Sequence, residues 1–175
     1  AATDVEAVEL ARAVVGYLPL NNKAASPLGA EATGSGADLD TFIPDDDNQP
    51  YDVLDVVNAV TDGDFFELSA GYAGSVVTGF GHVGGRAVGV VATQPSVLAG
   101  CLTRDAARKA ARFIRTCDAF NLPVVQFVDS PGFLPAVEEE RAGSSAAAAA
   151  LAYAFAEAQV GTITVVTRKA FGPSY

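Results

Sequence analysis

The stretch from Arg104 to Gly132 reads "RDAARKAARFIRTCDAFNLPVVQFVDSPG", and its two halves follow different periods. In the first, Ala107, Ala110, Ala111, Ile114 and Cys117 or Ala119 recur at the spacing of one helical face, with cations between them. In the second, "LPVVQFVDS" is a short continuous apolar run, the pattern of a strand covered on both faces. Helix then buried strand is half of a β-α-β step. Downstream, "AGSSAAAAALAYAFAEAQ" is helical by propensity, because Ala is the best helix former, and its serine pair is expected to cap the start. "GTITVVTRK" is the next strand. Strands and helices alternating with short connections predict an α/β fold with a mostly parallel sheet and right-handed crossovers.

Upstream, "GSVVTGFGHVGGRAVGVVATQ" gives two β-rich runs around a glycine-rich turn, which fits a hairpin. "PYDVLDVVNAVTDGDFFEL" predicts a short helix from Asp52 to Val60, then a strand starting at Phe65. Residues 4–18 carry apolar side chains at helical spacing behind Thr3, a plausible N-cap. Between them, residues 19–47 shift to Asn, Pro, Gly, Ser and Asp and read as a linker or long surface loop. That places the one candidate boundary before residue 48. The chain has no methionine, starts within a helical pattern and stops in a turn, so a portion of something longer is expected.

With 11 basic and 21 acidic residues the net charge is −10, which argues against a broad nucleic-acid surface, since phosphate binding needs clustered cations. Arg104, Arg108, Lys109, Arg112 and Arg115 form one local exception, a face that is more often merely solvated. No apolar run reaches membrane-spanning length and no signal-peptide pattern is visible, so a cytoplasmic protein is expected. Cys101 and Cys117 lack a paired spacing and read as buried free thiols. With one histidine, His82, no metal cluster is available.

Gly79 to Gly84 match the GxGxxG dinucleotide pattern, but a helix should follow and "GRAVGVVATQ" is strand-like, so the glycines most simply build a hairpin turn. A Ser-His-Asp set can be assembled from Ser130, Ser144 or Ser145 with His82 and Asp129, yet no GxSxG elbow is present. More informative is "VVQFVDSPGF", a buried strand opening into a Gly-containing turn at its carboxyl end, where open α/β sheets place ligands. "VVTRKAFGPS" repeats the design. Two such turns side by side would form one wall of a pocket, with backbone N–H groups facing developing negative charge.

In order along the chain, "IPDDDNQPYDVLDVV", "DGDFFEL", "GFGHVGGRAVGVVATQP", the long block from Val97 to Pro135, "YAFAEA" and "TVVTRKAFG" resemble the carboxyltransferase β subunit of biotin-dependent acyl-CoA carboxylases, propionyl-CoA carboxylase type. The resemblance implies a crotonase-like ββα superhelix and one carboxyltransferase domain. Residues 1–18 resemble the helix that ends the family's first domain, 19–47 a linker, and 48–175 the second domain, incomplete at its C-terminus. It implies transfer of a carboxyl group from carboxybiotin to the α-carbon of an acyl-CoA, with biotin carried on a partner chain and no metal. Implied partners are the biotin carboxylase and carrier subunit and homologous carboxyltransferase chains, as a hexamer for the full-length subunit. Nucleic acid and membrane are not implied.

For the site, the resemblance places a biotin oxyanion turn at Gly172, Pro173 and Ser174, as the catalytic residues, with Pro131, Gly132, Phe133, Gln94 and Pro95 lining the biotin side. Two departures stand out. Pro173 falls on an expected donor and has no N–H. Ala146 to Ala150 replace a basic stretch usual in the family. Both leave open a non-catalytic assembly subunit; a biotin-independent crotonase-fold enzyme is a further alternative.

Overall fold

The computed structural model describes residues 1–29, 39–46 and 48–172. Helix α1 (Asp4–Tyr17) starts where expected, with the Thr3 side chain accepting from the Glu6 amide. Helix α2 (Val53–Val60) is capped by Asp52 and buries Val53, Val56 and Val57. The strands are β1 (Phe66–Leu68), β2 (Val76–Val83), β3 (Arg86–Thr93), β4 (Val124–Ser130) and β5 (Thr162–Ala170). Helices α3 (Arg104–Ala119), α4 (Val137–Ala142) and α5 (Ser144–Glu157), with short 3-10 turns at Leu39–Thr41 and Leu98–Gly100, complete the described elements.

The strands lie in sequence order in one five-stranded sheet. β1, β2 and β3 pair antiparallel, whereas β3, β4 and β5 pair parallel. The sheet is therefore mixed, not mostly parallel as the strand and helix alternation suggests, because the hairpin contributes its own antiparallel pairs. The crossover through α3 joins β3 to β4, and the one through α4 and α5 joins β4 to β5. β2, β3 and α3 make one ββα unit.

Two apolar clusters cover the two sheet faces. On one, Val76, Phe80, Ala87 and Val91 meet Ala110, Ile114 and Cys117 of α3 and Leu151 and Ala154 of α5. On the other, Val77, Val88, Val90, Ala92 and Phe127 meet Tyr51 and α2. Successive residues of β3 thus serve opposite faces, as a strand's alternation requires. Each fully buried Ile, Leu, Val or Phe in these clusters contributes about 1.5–3 kcal/mol by leaving water.

Helix α3 explains why its sequence reads so clearly. Thr103 caps its start by accepting from the Ala106 amide; Ala107, Ala110, Ala111, Ile114 and Cys117 are all buried, whereas Ala119 is exposed, so the inward face ends at Cys117. Its end is a Schellman closure: Asn121, at φ +56, donates to Asp118, and the Leu122 amide donates to Cys117. By contrast, α5 is preceded by Gly143 at φ +91, which also closes α4, so Ser144 and Ser145 lie inside the first turn and do not cap it.

Part of the 19–47 linker is tied down. The Pro27 carbonyl accepts from the Ala87 amide, Gly29 donates to Gly85, and Leu28 bridges Arg86 at the free start of β3. At the far side, β5 is the last strand of the sheet, and Ile163, Val165 and Val166 are exposed on it.

Candidate active site

The carboxyl ends of β4 and β5 carry the two turns singled out in the sequence, and they are neighbours. Ser130 pairs with Ala170, the Phe171 amide donates to the Ser130 carbonyl at 3.3 Å, and a Cβ on Gly132 would lie 3.8 Å from the Phe171 carbonyl oxygen. Gly132 at φ +122 and Gly172 at φ +64 adopt backbone that favours glycine. Pro131 is exposed at the tip, and Phe133 is half-buried against the α3 and α5 core. The bridge between Leu102 and Phe133 fastens this turn to the segment before α3.

One expectation needs correcting. The Gly132 amide does not face outward: it donates to Ser130 Oγ at 3.2 Å, while its carbonyl accepts from the Leu102 amide. The turn after β5 differs, because the Gly172 amide donates to no described group. Pro173 and Ser174 lie outside the described residues.

Gln94 and Pro95 sit at the carboxyl end of β3, beside β4. Gln94 is buried, and its amide group is engaged: Oε1 accepts from the Val53 amide at 3.1 Å and Nε2 donates to Asp52 Oδ1 at 2.7 Å. It therefore anchors the start of α2. Pro95 lines a pocket of about 300 Å3 with Asn48, Pro50, Ser96, Ala99 and Arg168. Leu98, Ala99 and Gly100 turn through consecutive left-handed conformations at φ +51, +53 and +78, bringing Gly100 against the Asp129 carbonyl.

Behind these turns runs a buried polar network that the sequence reading missed. Asp129 Oδ2 accepts from Arg168 Nε at 3.0 Å, and its Oδ1 accepts from the Lys169 amide at 3.1 Å. Thr93 Oγ1 bonds both the amide and the carbonyl of Asp129. Arg168 also donates to the Asp46 and Gln49 carbonyls and lies over the Tyr51 ring at 5.2 Å. Tyr51 bonds Thr167, and burial pushes its phenol up to about 12, so it stays neutral in ordinary conditions. The signal available was an Asp and an Arg near the ends of two apolar strand runs, positions that seldom hold buried charge unless it is paired.

The alternative motifs resolve into structure. His82 pairs through Nδ1 with Asp64 at the hairpin end of β2, stacked on Tyr17 at 5.1 Å, whereas Asp129 serves Arg168 at the opposite end of the sheet. No Ser-His-Asp set forms among the described residues. Gly84 and Gly85 make the hairpin turn, and Gly79 and Gly81 admit Phe66 and Thr61 to close contact. No group of three or more potential metal ligands occurs among the described residues, and no described helix is long and apolar enough to cross a membrane.

On α3, Arg104, Arg108, Arg112 and Arg115 line a groove of about 850 Å3. Arg104 pairs with Asp105 and Arg115 with Glu157, while Arg108 and Arg112 are exposed. Lys109 is buried, donates to the Tyr72 and Val76 carbonyls, and is held below the usual ammonium range by that burial. It pins the 69–76 segment to α3. Of the two thiols, Cys117 is buried and Cys101 only partly so.

The carboxyl transferase domain model matches residues 1–175. The biotin-dependent acetyl-/propionyl-coenzyme A carboxylase beta5 subunit of Mycobacterium tuberculosis (strain CDC 1551 / Oshkosh) is 48% identical over 185 residues, covering 100% of this chain and 34% of that protein. The methylmalonyl-CoA carboxyltransferase 12S subunit of Propionibacterium freudenreichii subsp. shermanii is 46% identical, over 99% of this chain and 34% of that protein. A crystal structure of transcarboxylase 12S, described as a hexamer with hydrolyzed methylmalonyl-coenzyme A bound, superposes with a TM-score of 0.96 at 44% identity, over 100% of this chain and 35% of that one. The chain thus spans about a third of the length of the relatives it matches.

Proposed function

The chain belongs to the carboxyl transferase domain family, and on that premise we propose that it is the second carboxyltransferase domain of a biotin-dependent acyl-CoA carboxylase subunit. In this reading residues 1–18 close the preceding domain, 19–47 link, and 48–175 carry the domain proper. The substrate is an acyl-CoA, bound mainly by the first domain of a neighbouring subunit. Biotin arrives on a carrier of a partner chain, homologous chains assemble with this one, and the complex is cytoplasmic.

The observation that carries the reading is the juxtaposition of the Gly132 and Gly172 turns at the carboxyl ends of adjacent parallel strands. Bound biotin would supply a carboxyl group on its N1 and take up charge on its ureido oxygen when that group leaves. The residues present suit such a guest. The 300 Å3 pocket has apolar walls at Pro50, Pro95 and Ala99, enough for a small flat bicycle. The Gly172 amide, which donates to no described group, follows the β5 residues Arg168 and Lys169 that line this pocket, and one fixed donor of this kind stabilises developing charge by about 3–4 kcal/mol. Ser174 is proposed as the second donor, Pro173 as a residue that shapes the turn without donating, and Pro131, Gly132 and Phe133 as its neighbouring wall.

The test is carboxyl transfer by the full-length protein assembled with its biotin-bearing partners, compared with its Gly172→Val variant. Loss of transfer with assembly intact is the expected result. Assembly without transfer in the parent protein would defeat the reading and favour the scaffold subunit suggested by Pro173 and Ala146 to Ala150.

A further inference from the structure

The β4 and β5 ladder is irregular just before the Gly172 turn. Val128 pairs with Val166 and Ser130 with Ala170, so β5 carries extra residues between them. Backbone groups there need other partners, and side chains supply them. Asp129 Oδ1 accepts from the Lys169 amide, and Thr167 Oγ1 donates to the Val128 carbonyl. The direction in which β5 leaves the sheet is therefore set by Asp129, not by the ladder alone.

Arg168 links the same carboxylate to the chain that precedes α2. Its Nε engages Asp129 Oδ2, and its Nη1 donates to the Asp46 and Gln49 carbonyls at 2.9 and 3.0 Å. Those two residues flank Asn48, which lines the 300 Å3 pocket together with Arg168. We propose that Asp129 and Arg168 are positioning residues for carboxyl transfer, fixing Phe171 and Gly172 at the end of β5 relative to Asp46 and Gln49; this rests on the carboxyltransferase reading above.

Burial makes the arrangement costly to keep for stability alone. The two side chains are 2% and 10% exposed, and buried ion pairs commonly contribute no more than apolar residues of similar size. Geometry is what an apolar pair would not provide. A planar guanidinium holds a carboxylate and two carbonyls at fixed angles, which a lysine ammonium cannot reproduce.

The experiment uses the full-length protein assembled with its partners, as parent, Arg168→Lys and Asp129→Asn, assayed well below the melting temperature of each. Arg168→Lys keeps a buried cation, and Asp129→Asn keeps an acceptor for the Lys169 amide, so each guards against misfolding of the other. Misplacing reacting groups by about 1 Å costs about 100-fold, so kcat should fall by about that factor while KM for acyl-CoA stays within about twofold. Variants that melt earlier yet keep kcat within about twofold of the parent would show a purely structural pair and overturn the proposal. A parent that transfers no carboxyl group overturns it together with the carboxyltransferase reading, and that outcome is distinguished by the parent assay alone.

Discussion

Replacing Gly89 by alanine tests how closely α3 sits on the sheet that carries the site. A methyl at Gly89 would lie 2.3 Å from Cys117 Sγ and 3.1 Å from Phe113 Cε1. Both neighbours are buried in the same cluster, at 0% and 6% exposure, so neither can swing into solvent. Relief requires α3 to lift off β3. Overpacking a core costs about 1–3 kcal/mol, and this site belongs at the upper end. Alanine's lower chain entropy returns about 0.5–1 kcal/mol, leaving a net loss of about 2 kcal/mol. Cys117→Ala alone removes one buried atom and should cost about 1 kcal/mol. In the double variant the new methyl takes the place of the sulfur, so the pair should cost about 1 kcal/mol, not the sum of about 3. Urea unfolding of the parent and the three variants, followed by circular dichroism, gives the coupling. Additivity within about 0.5 kcal/mol, or a neutral Gly89→Ala, would refute the reasoning.

Gly100→Ala should be worse placed still, since Gly100 has φ +78 and its Cβ would lie 2.2 Å from the Asp129 carbonyl oxygen. A loss of about 2–4 kcal/mol is expected in thermal or urea unfolding, combining left-handed strain with backbone overlap; a loss below about 1 kcal/mol would count against the close approach. A pH titration offers an independent check. Burial raises the Cys117 thiol from 9.0, and the Tyr17 and Tyr51 phenols from 10.0, to about 12. These acids stay protonated in the folded chain after the unfolded chain has released its protons, so the unfolded state binds fewer protons and gains stability as pH rises. Folding stability should be unaffected by these groups below pH 9 and fall progressively between pH 9 and about 12. A urea midpoint unchanged from pH 8 to pH 11 would contradict this.

Where local pattern and tertiary environment agree, the sequence is readable. Helix α3 shows a cap, a face and a stop within one window, and β4 is an apolar run interrupted only by Gln126 before Asp129, so both appear with nearly their observed limits. α4 offers no such window: six residues with three consecutive glutamates carry no apolar face, and without α4 the pattern makes Ser144 and Ser145 look like caps of α5. The two glycine turns are legible because each directly follows a strand. Their orientation is not, since the Gly132 amide turns inward to a side chain only two residues away. The Asp129 and Arg168 pair is least legible of all. It depends on the register of two parallel strands and on an irregularity in that register, and neither property leaves a local trace in either segment.

The outer strand has a consequence for colloidal behaviour. Among the described residues β5 is the outer strand, with Ile163, Val165 and Val166 exposed, and in this chain on its own such a strand is a template on which another copy can pair. A net charge of −10 at pH 7 opposes that encounter by repulsion between molecules. The repulsion fades toward the isoelectric point near 4.3. Acidification of this chain on its own therefore weakens the barrier to edge-to-edge pairing while leaving the edge intact, and turbidity near pH 4.3 with the folded circular dichroism signal retained is the expected outcome.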